Sequence, residues 1–484
     1  MNKPSEDSGT DTEPPETGSA LLGRAGEAGV KRRRLPDTKG EGGGGDRPAA
    51  SGLRLPSALR AFRHRNYRLF FGGQFISVTG TWMQMIAQSW LVYRLTGSAV
   101  LLGLVGFLGQ IPVFLFATLG GTVADRYKRR HIIVITQTTA MLLAFLLAGL
   151  TLTGRVQVWH VLVLASCLGV VNAFDAPTRQ AFVVDMVGKE DILNAIALNS
   201  SLFNSARILG PSMGGIIIAY IGEGWCFFLN AASYLAVIAG LLLMRIEPPA
   251  RSPVPGKALA SILEGFRYVG RTRSIRALLL LLGLVSLTGM PYVVLMPIFV
   301  YEILQRGPVE MGWMMGASGI GALTGALVLA TRKNVHGLGR WVAIACASFG
   351  LCLILFASSR HYWLSAALLL PVGFSMITQM ASSNTLIQSI VPDHLRGRVM
   401  AVYAMMFMGM APFGSLLSGI LAKHLGAPIT VTIGGAACLA GAAAFALRMP
   451  TLNYEAPQII VSLETPAGDP PDEATGAESA MAPR

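Results

Sequence analysis

The sequence predicts an all-α membrane protein with twelve transmembrane helices in two six-helix bundles. Three observations carry that expectation. Hydrophobic residues fill 52% of the 484 positions and charged residues only 13%, about half the charged share of a soluble domain. Apolar stretches of about 20 residues, each long enough to cross a bilayer, recur from Tyr67 to Leu447. Basic residues crowd into alternate connections between those stretches, which is how multi-pass proteins are oriented.

The first 55 residues are rich in Gly, Pro, Glu, Asp and Arg and hold no apolar run. They read as neither a signal peptide nor a packed core. The expected organisation is therefore a disordered cytoplasmic tail over 1–66, a bundle over 67–246, a cytoplasmic linker over 247–273, a second bundle over 274–448 and a disordered cytoplasmic tail over 449–484. Turn signals separate the spans, among them Thr96-Gly97-Ser98, Gly154-Arg155, Gly222-Glu223-Gly224 and Gly307-Pro308. With the N-terminus inside, the inside connections hold 18 basic residues and the outside ones 5. That asymmetry puts both termini in the cytoplasm. The linker carries Pro248-Pro249 and Pro253-Val254-Pro255, then a surface helix with Ile262, Phe266 and Val269 on its apolar face.

The halves echo each other. Gly210-Pro211-Ser212-Met213-Gly214 in the fifth span resembles Ala411-Pro412-Phe413-Gly414-Ser415 in the eleventh. A parallel 6+6 repeat is a transporter architecture with its substrate site between the halves.

Several function classes fall away. The net charge of +13 sits mostly in the tail and short loops, so nucleic acid is not an expected partner. The five cysteines lie in or beside apolar runs without a CxxC pair and read as small hydrophobes. No metal site or cofactor is expected. The run Gly210–Gly214 matches a hydrolase elbow only in letters, because that elbow needs a strand before the serine. The chain is not expected to be an enzyme.

The strongest motif is Gly120-Gly121-Thr122-Val123-Ala124-Asp125-Arg126-Tyr127-Lys128-Arg129-Arg130, between the second and third spans. Its glycines admit a close neighbour, and Asp125 can dock at the positive N-terminus of another helix. The cations can pair with acids on facing loops, which makes the cluster a latch that breaks when the protein changes shape. The segment resembles the signature loop of the major facilitator superfamily, G-x-L-A-D-R-x-G-R-R, at Gly121, Ala124, Asp125, Arg126, Arg129 and Arg130; Lys128 stands where the family usually has Gly. The stretch around Gly210, Pro211, Gly214 and Gly215 resembles that superfamily's antiporter motif, G-P-x-x-G-G, with Ala206 at the upstream glycine position. This resemblance implies the major facilitator fold and export in exchange for protons. The runs 174–182, 194–200 and 264–269 resemble the bacterial enterobactin-exporter, or transmembrane secretion effector, group. Its members include siderophore and macrolide exporters, which implies a bacterial inner-membrane efflux protein.

Arg207 is the one charge placed near the middle of a span, and such a charge is costly and functional by default. It falls on one helical face with Ser200, Asn204, Pro211 and Gly214, a face expected to line a cavity. Arg207 either holds an anionic substrate, modulates a nearby acid or braces carbonyls at the kink. Asp175, set near the inner end of the fourth span, is a proton carrier, a helix-end cap or a partner for a loop residue. Gln74, Ser77, Thr81, Gln84 and Gln88 form a polar stripe on the first span, and Ser375, Gln379, Ser382 and Ser383 another on the tenth. Such stripes line a cavity or bond between helices.

These features point to a monomeric, proton-coupled exporter of a siderophore-like or drug-like molecule, with small molecule, protons and lipid bilayer as its partners. An uptake symporter on the same scaffold is the alternative, and a non-transporting scaffold or sensor the remote one. The cavity is expected between the first, fourth, fifth, seventh, tenth and eleventh spans.

Overall fold

The computed structural model describes residues 57–188, 190–245, 258–332 and 337–464; the expected disorder of residues 1–55 lies outside them. A short 3-10 helix, Ser57–Arg63, is followed by α1 (Arg65–Thr96), α2 (Ala99–Arg126), α3 (Arg129–Leu152), α4 (Val158–Val187), α5 (Ile192–Ile221) and α6 (Glu223–Leu243). Then come α7 (Ala258–Arg271), an interrupted α8 (Arg273–Ile303), α9 (Pro308–Ala330), α10 (Leu338–Ser358), α11 (Tyr362–Ile390), α12 (Asp393–Leu425) and α13 (Ala427–Glu464). The helices start and stop where the turn chemistry asks. Gly97 ends α1 at a φ of 58°, with its N–H on the Tyr93 carbonyl, and the Ser98 hydroxyl caps α2 by accepting from Leu101 N–H at 3.4 Å.

Among the described residues, ten helices are long and apolar enough to cross a membrane. The two long helices that fall short, α1 and α5, carry the polar stripe and Arg207. Their polar side chains turn inward: Gln74, Ser77 and Gln84 are buried, while Leu115, Ile135, Leu142, Leu242 and Leu280 face outward on neighbouring helices. Lipid is the natural solvent for such a surface.

Helices α1 to α6 pack chiefly among themselves, as α3 on α4 and α6, α2 on α4, and α1 on α5 and α6. Helices α9 to α13 do the same, with α8 against α12 and α13. Two extensive contacts join these groups, α2 on α12 and α5 on α9. Both depend on glycine. A Cβ on Gly103 would stand 2.5 Å from the Ser415 carbonyl oxygen, and one on Gly312 2.5 Å from that of Pro211. These crossings lie toward the end of the molecule opposite the Asp125–Arg130 loop, here called the far end; the loop marks the basic end.

Four features depart from the sequence reading. Helix α4 runs on to Val187, so Asp175 and Arg179 lie inside it and not at its end. Residues 57–63 form a 3-10 helix and α1 begins at Arg65, where a disordered tail was expected through 66. Helix α13 continues to Glu464, beyond the expected limit at 448. Helix α8 changes pitch twice, through π turns at Val285–Gly289 and Phe299–Ile303, because Pro291 and Pro297 lack the N–H that a regular α-helix needs. In α7, Val269 is buried against α12 while Phe266 is exposed.

The 3-10 helix is pinned to the start of α5. Asp191 lies 3.3 Å from Arg60, 3.5 Å from Arg63 and 2.9 Å from His64, and Ala61 N–H donates to Asn194 Oδ1 at 2.8 Å. The His64 hydrogen bond, then the two arginines, hold the Asp191 carboxyl below its ordinary value of 3.8. A depressed pKa means that this clamp is fully present above that value and is lost only as pH falls further. In Asp191→Asn the Ala61 amide should exchange with solvent much faster at neutral pH, whereas wild type keeps its protection until the pH drops below about 3.8; hydrogen exchange read by mass spectrometry checks both.

Candidate functional site

Between the two helix groups lies a cavity of about 490 Å³, within the size range of small-molecule sites. Its polar wall comes from Thr81, Gln84 and Gln88 of α1, Asn172 of α4, Arg207 of α5 and Asn230 of α6. Its apolar wall comes from α2, the irregular part of α8, and α12, with Leu102, Val105, Met290 and Val294. Pro291 lets the α8 backbone bulge into this space. A second chamber of about 260 Å³ adjoins it toward the basic end, sharing Thr81, Trp82, Asn172 and Tyr234.

Asp175 stands in the wall of the second chamber. It is 2% exposed. The Thr136 hydroxyl donates to Asp175 Oδ1 at 2.8 Å and Gln137 Nε2 at 2.9 Å, both from α3. Arg179, one helical turn on, lies 3.4 Å from Oδ2 and donates to Gln74 Oε1 of α1 at 3.1 Å. A buried carboxylate thus holds three helices together through one ion pair. No capping role remains for it.

Toward the far end, beyond the residues that line the cavity, three aromatics of α1 and α8 meet. Tyr301 of α8 meets Trp90 and Tyr93 of α1 edge to face, at 6.1 and 6.2 Å between centroids. The Tyr93 hydroxyl donates to the Glu302 carboxylate, a bond that joins the two helix groups. Next to it Arg94 grips Glu223 with two hydrogen bonds, at 2.7 and 3.2 Å, within the first group.

The basic loop is arranged differently from the sequence expectation. Asp125 is not docked on another helix: its side chain is 79% exposed, and Arg129 approaches it only to 3.9 Å. Arg129 instead donates to Asp185 of α4 at 2.8 Å and to the Ala181 carbonyl at 3.1 Å. Arg130 reaches the Leu242 carbonyl at 3.0 Å, and Arg126 is exposed. The glycine that permits close packing is Gly120, whose hydrogen faces the Ala173 carbonyl of α4; Gly121 has open space before it.

Other expected wall residues move elsewhere. Gln84 and Gln88 line the cavity, and Gln84 Oε1 accepts from Asn230 at 2.7 Å. Gln74 is buried beside Arg179, outside both chambers. Asn204 bonds the Ser200 carbonyl of its own helix at 2.9 Å. Gly210 and Gly214 pack on α1 and Gly215 on α9, so the α5 face splits between two neighbours and only Arg207 reaches the cavity. Gln379, with Ser382 and Ser383, is buried inside the second group; α11 contributes none of the residues named above. The sequence reading missed Arg179, Tyr93, Asn230 and Glu302. Only Arg179 carried a legible signal, an opposite charge four residues from Asp175 on one helix.

A family model described as transmembrane secretion effector matches residues 56–469. The staphyloferrin A transporter of Staphylococcus aureus is 26% identical over 378 residues, 76% of this chain and 92% of its own. The multidrug efflux pump Tap of Mycolicibacterium fortuitum is 28% identical over 356 residues, 72% and 87%. The enterobactin exporter EntS of Shigella boydii is 25% identical over 360 residues, 74% and 85%. The crystal structure of the nucleoside transporter NupG is similar in fold, with a TM-score of 0.61 at 16% identity over 82% of this chain and 99% of that one.

Apolar helices around a central cavity, together with these likenesses, define a multi-pass membrane transporter and not an enzyme. The chain belongs to the transmembrane secretion effector family of the major facilitator superfamily.

The Tyr93–Glu302 bond ties the first helix group to the second at the far end. Glu302→Gln removes the charge that strengthens it. In a Val294→Cys background, a membrane-impermeant maleimide added from the far side should then label several times faster than with Glu302 intact.

Proposed function

We propose that the protein is a proton-coupled exporter of a medium-sized organic molecule in a bacterial inner membrane. It works as a monomer by alternating access, with twelve spans in two six-helix bundles and both termini in the cytoplasm. The observation that carries this reading is Asp175, a buried, ion-paired carboxylate in the wall of a cavity. The far end, closed here by Tyr93, Tyr301 and Glu302, is the outside. The basic end is the cytoplasmic mouth. There Asp125, exposed in this state, docks on the second bundle when the mouth shuts, while Arg129 and Arg130 hold the loop against α4 and α6.

A proton arriving from the outside neutralises Asp175, frees Arg179 and loosens α4 from α1 and α3. Loss of that proton to the cytoplasm restores the pair. Gly210, Gly214, Gly215 and Gly312 let α5 slide on α1 and α9 during the swing. The likeness to siderophore and multidrug exporters supports the outward direction and a siderophore-like or drug-like cargo.

The test is accumulation of a panel of siderophores, macrolides and dyes in cells lacking their own efflux systems. Expression should lower accumulation of one class, and a protonophore should restore it. Raised accumulation would instead make the protein an uptake symporter. Asp175→Asn strands Arg179, and breaking a buried pair costs about 3–5 kcal/mol, so the paired change Asp175→Asn with Arg179→Gln is the informative variant. It should reach the membrane and exchange substrate down its gradient, yet lose uphill efflux. Uphill efflux in that variant would remove Asp175 from the proton path.

A further inference from the structure

Charge bookkeeping in the cavity leaves one cation over. Among the described residues that line the two chambers, three are charged: Asp175, Arg179 and Arg207. Asp175 and Arg179 neutralise each other at 3.4 Å. Arg207 has no such partner among the described residues. Its guanidinium reaches the Met376 sulfur at 3.8 Å and lies 5.7 Å from the Trp82 ring centroid. A thioether is a weak acceptor, and a ring face carries no net charge. Neither offsets a full positive charge set deep in the molecule. It donates to no backbone carbonyl among the described residues, so it does not brace the α5 kink.

Arginine keeps its proton in any protein site, so the charge cannot be shed by titration. A cation held in this way, reachable from a cavity and with four of its five N–H donors unspent on the described residues, is matched by an anion. The planar fork suits a carboxylate or a comparable oxyanion, gripped by two parallel hydrogen bonds. The rest of the chamber suits something else. Leu102, Val105, Met290, Val294 and Met85 offer an apolar bed.

We propose that Arg207 is the counter-charge for the cargo, and that the cargo is an amphipathic organic anion: one acidic group on Arg207 and an apolar body against α2 and α8. The inference rests on reading this cavity as the transport path. It narrows that reading, because cationic compounds are then excluded. A second positive charge in the chamber would sit beside Arg207 with no carboxylate free to receive it.

Binding to the purified protein in lipid nanodiscs tests this without any proton gradient, so it can fail or succeed separately from proton-coupled export. The probes are one fluorophore in three charge states: dansylglycine (anion), its methyl ester (neutral) and dansylcadaverine (cation). Wild type should bind the anion at least about tenfold more tightly than the ester, the size of effect expected when one charge partner is lost, and the cation more weakly still. Arg207→Gln should erase the difference between anion and ester, and an unchanged size-exclusion profile and melting temperature in the nanodisc show that the variant is folded. Arg207→Lys should keep part of the preference. Equal binding of the three probes, no binding at all, or an anion preference that survives Arg207→Gln would each overturn the proposal. Anion binding that depends on Arg207, in a protein that fails to export, would uphold the subsite and sink the proton-coupled reading.

Discussion

The ion pair between Asp175 and Arg179 is the constraint from which much of the first helix group follows. In a low-dielectric interior an unpaired charge is expensive, so a buried carboxylate must be surrounded by donors. Here those donors come from α3 and from Arg179 on α4 itself, and Arg179 in turn needs Gln74 on α1. Three helices are therefore fixed relative to one another by the demands of a single oxygen pair. In the proton-coupled cycle proposed above, the same cost lets the pair act as a switch, because one proton on Asp175 removes the reason for the arrangement.

The glycine crossings determine where such a change can be expressed. Helices α2 and α12, and α5 and α9, approach until backbone meets backbone, with no side chain to interlock at Gly103, Gly419, Gly215 and Gly312. Close packing of this kind is strong by dispersion yet smooth enough to pivot. Toward the far end the Tyr93–Glu302 bond and the ring contacts of Tyr301 tie α1 to α8. Toward the basic end, Asp125 stands in solvent. In the alternating cycle proposed above, this conformation is the one with the far end closed and the Asp125 loop released.

Much of the fold was legible in the sequence because bilayer crossing demands long apolar runs, and turns such as Thr96-Gly97-Ser98 punctuate them. Helices α1 and α5 show the limit of hydropathy: their polar faces point at the cavity, so they look least like spans while lying at the centre of the site. Arg207 was legible as a costly charge. Asp175 was legible only as a candidate, because the fourth span was expected to end close to it. Pro177 instead sits inside α4, which continues to Val187. The far-end contact was not legible, since Tyr93 and Glu302 are 209 residues apart and nothing local marks either as the other's partner. The periodicity argument for α5 placed the right residues on one face, yet a single face can be shared by α1, α9 and a cavity, and spacing alone cannot apportion it.

Coupling between the buried pair and the far-end contacts is most directly read as a distance. Spin labels at Thr96, at the end of α1, and Arg306, after α8, straddle those contacts. In nanodiscs, the variant carrying Asp175→Asn with Arg179→Gln, which removes the buried ion pair, should shift the distance distribution away from that of wild type. Superimposable distributions in wild type and variant would contradict the claim that the Asp175–Arg179 pair governs the far end.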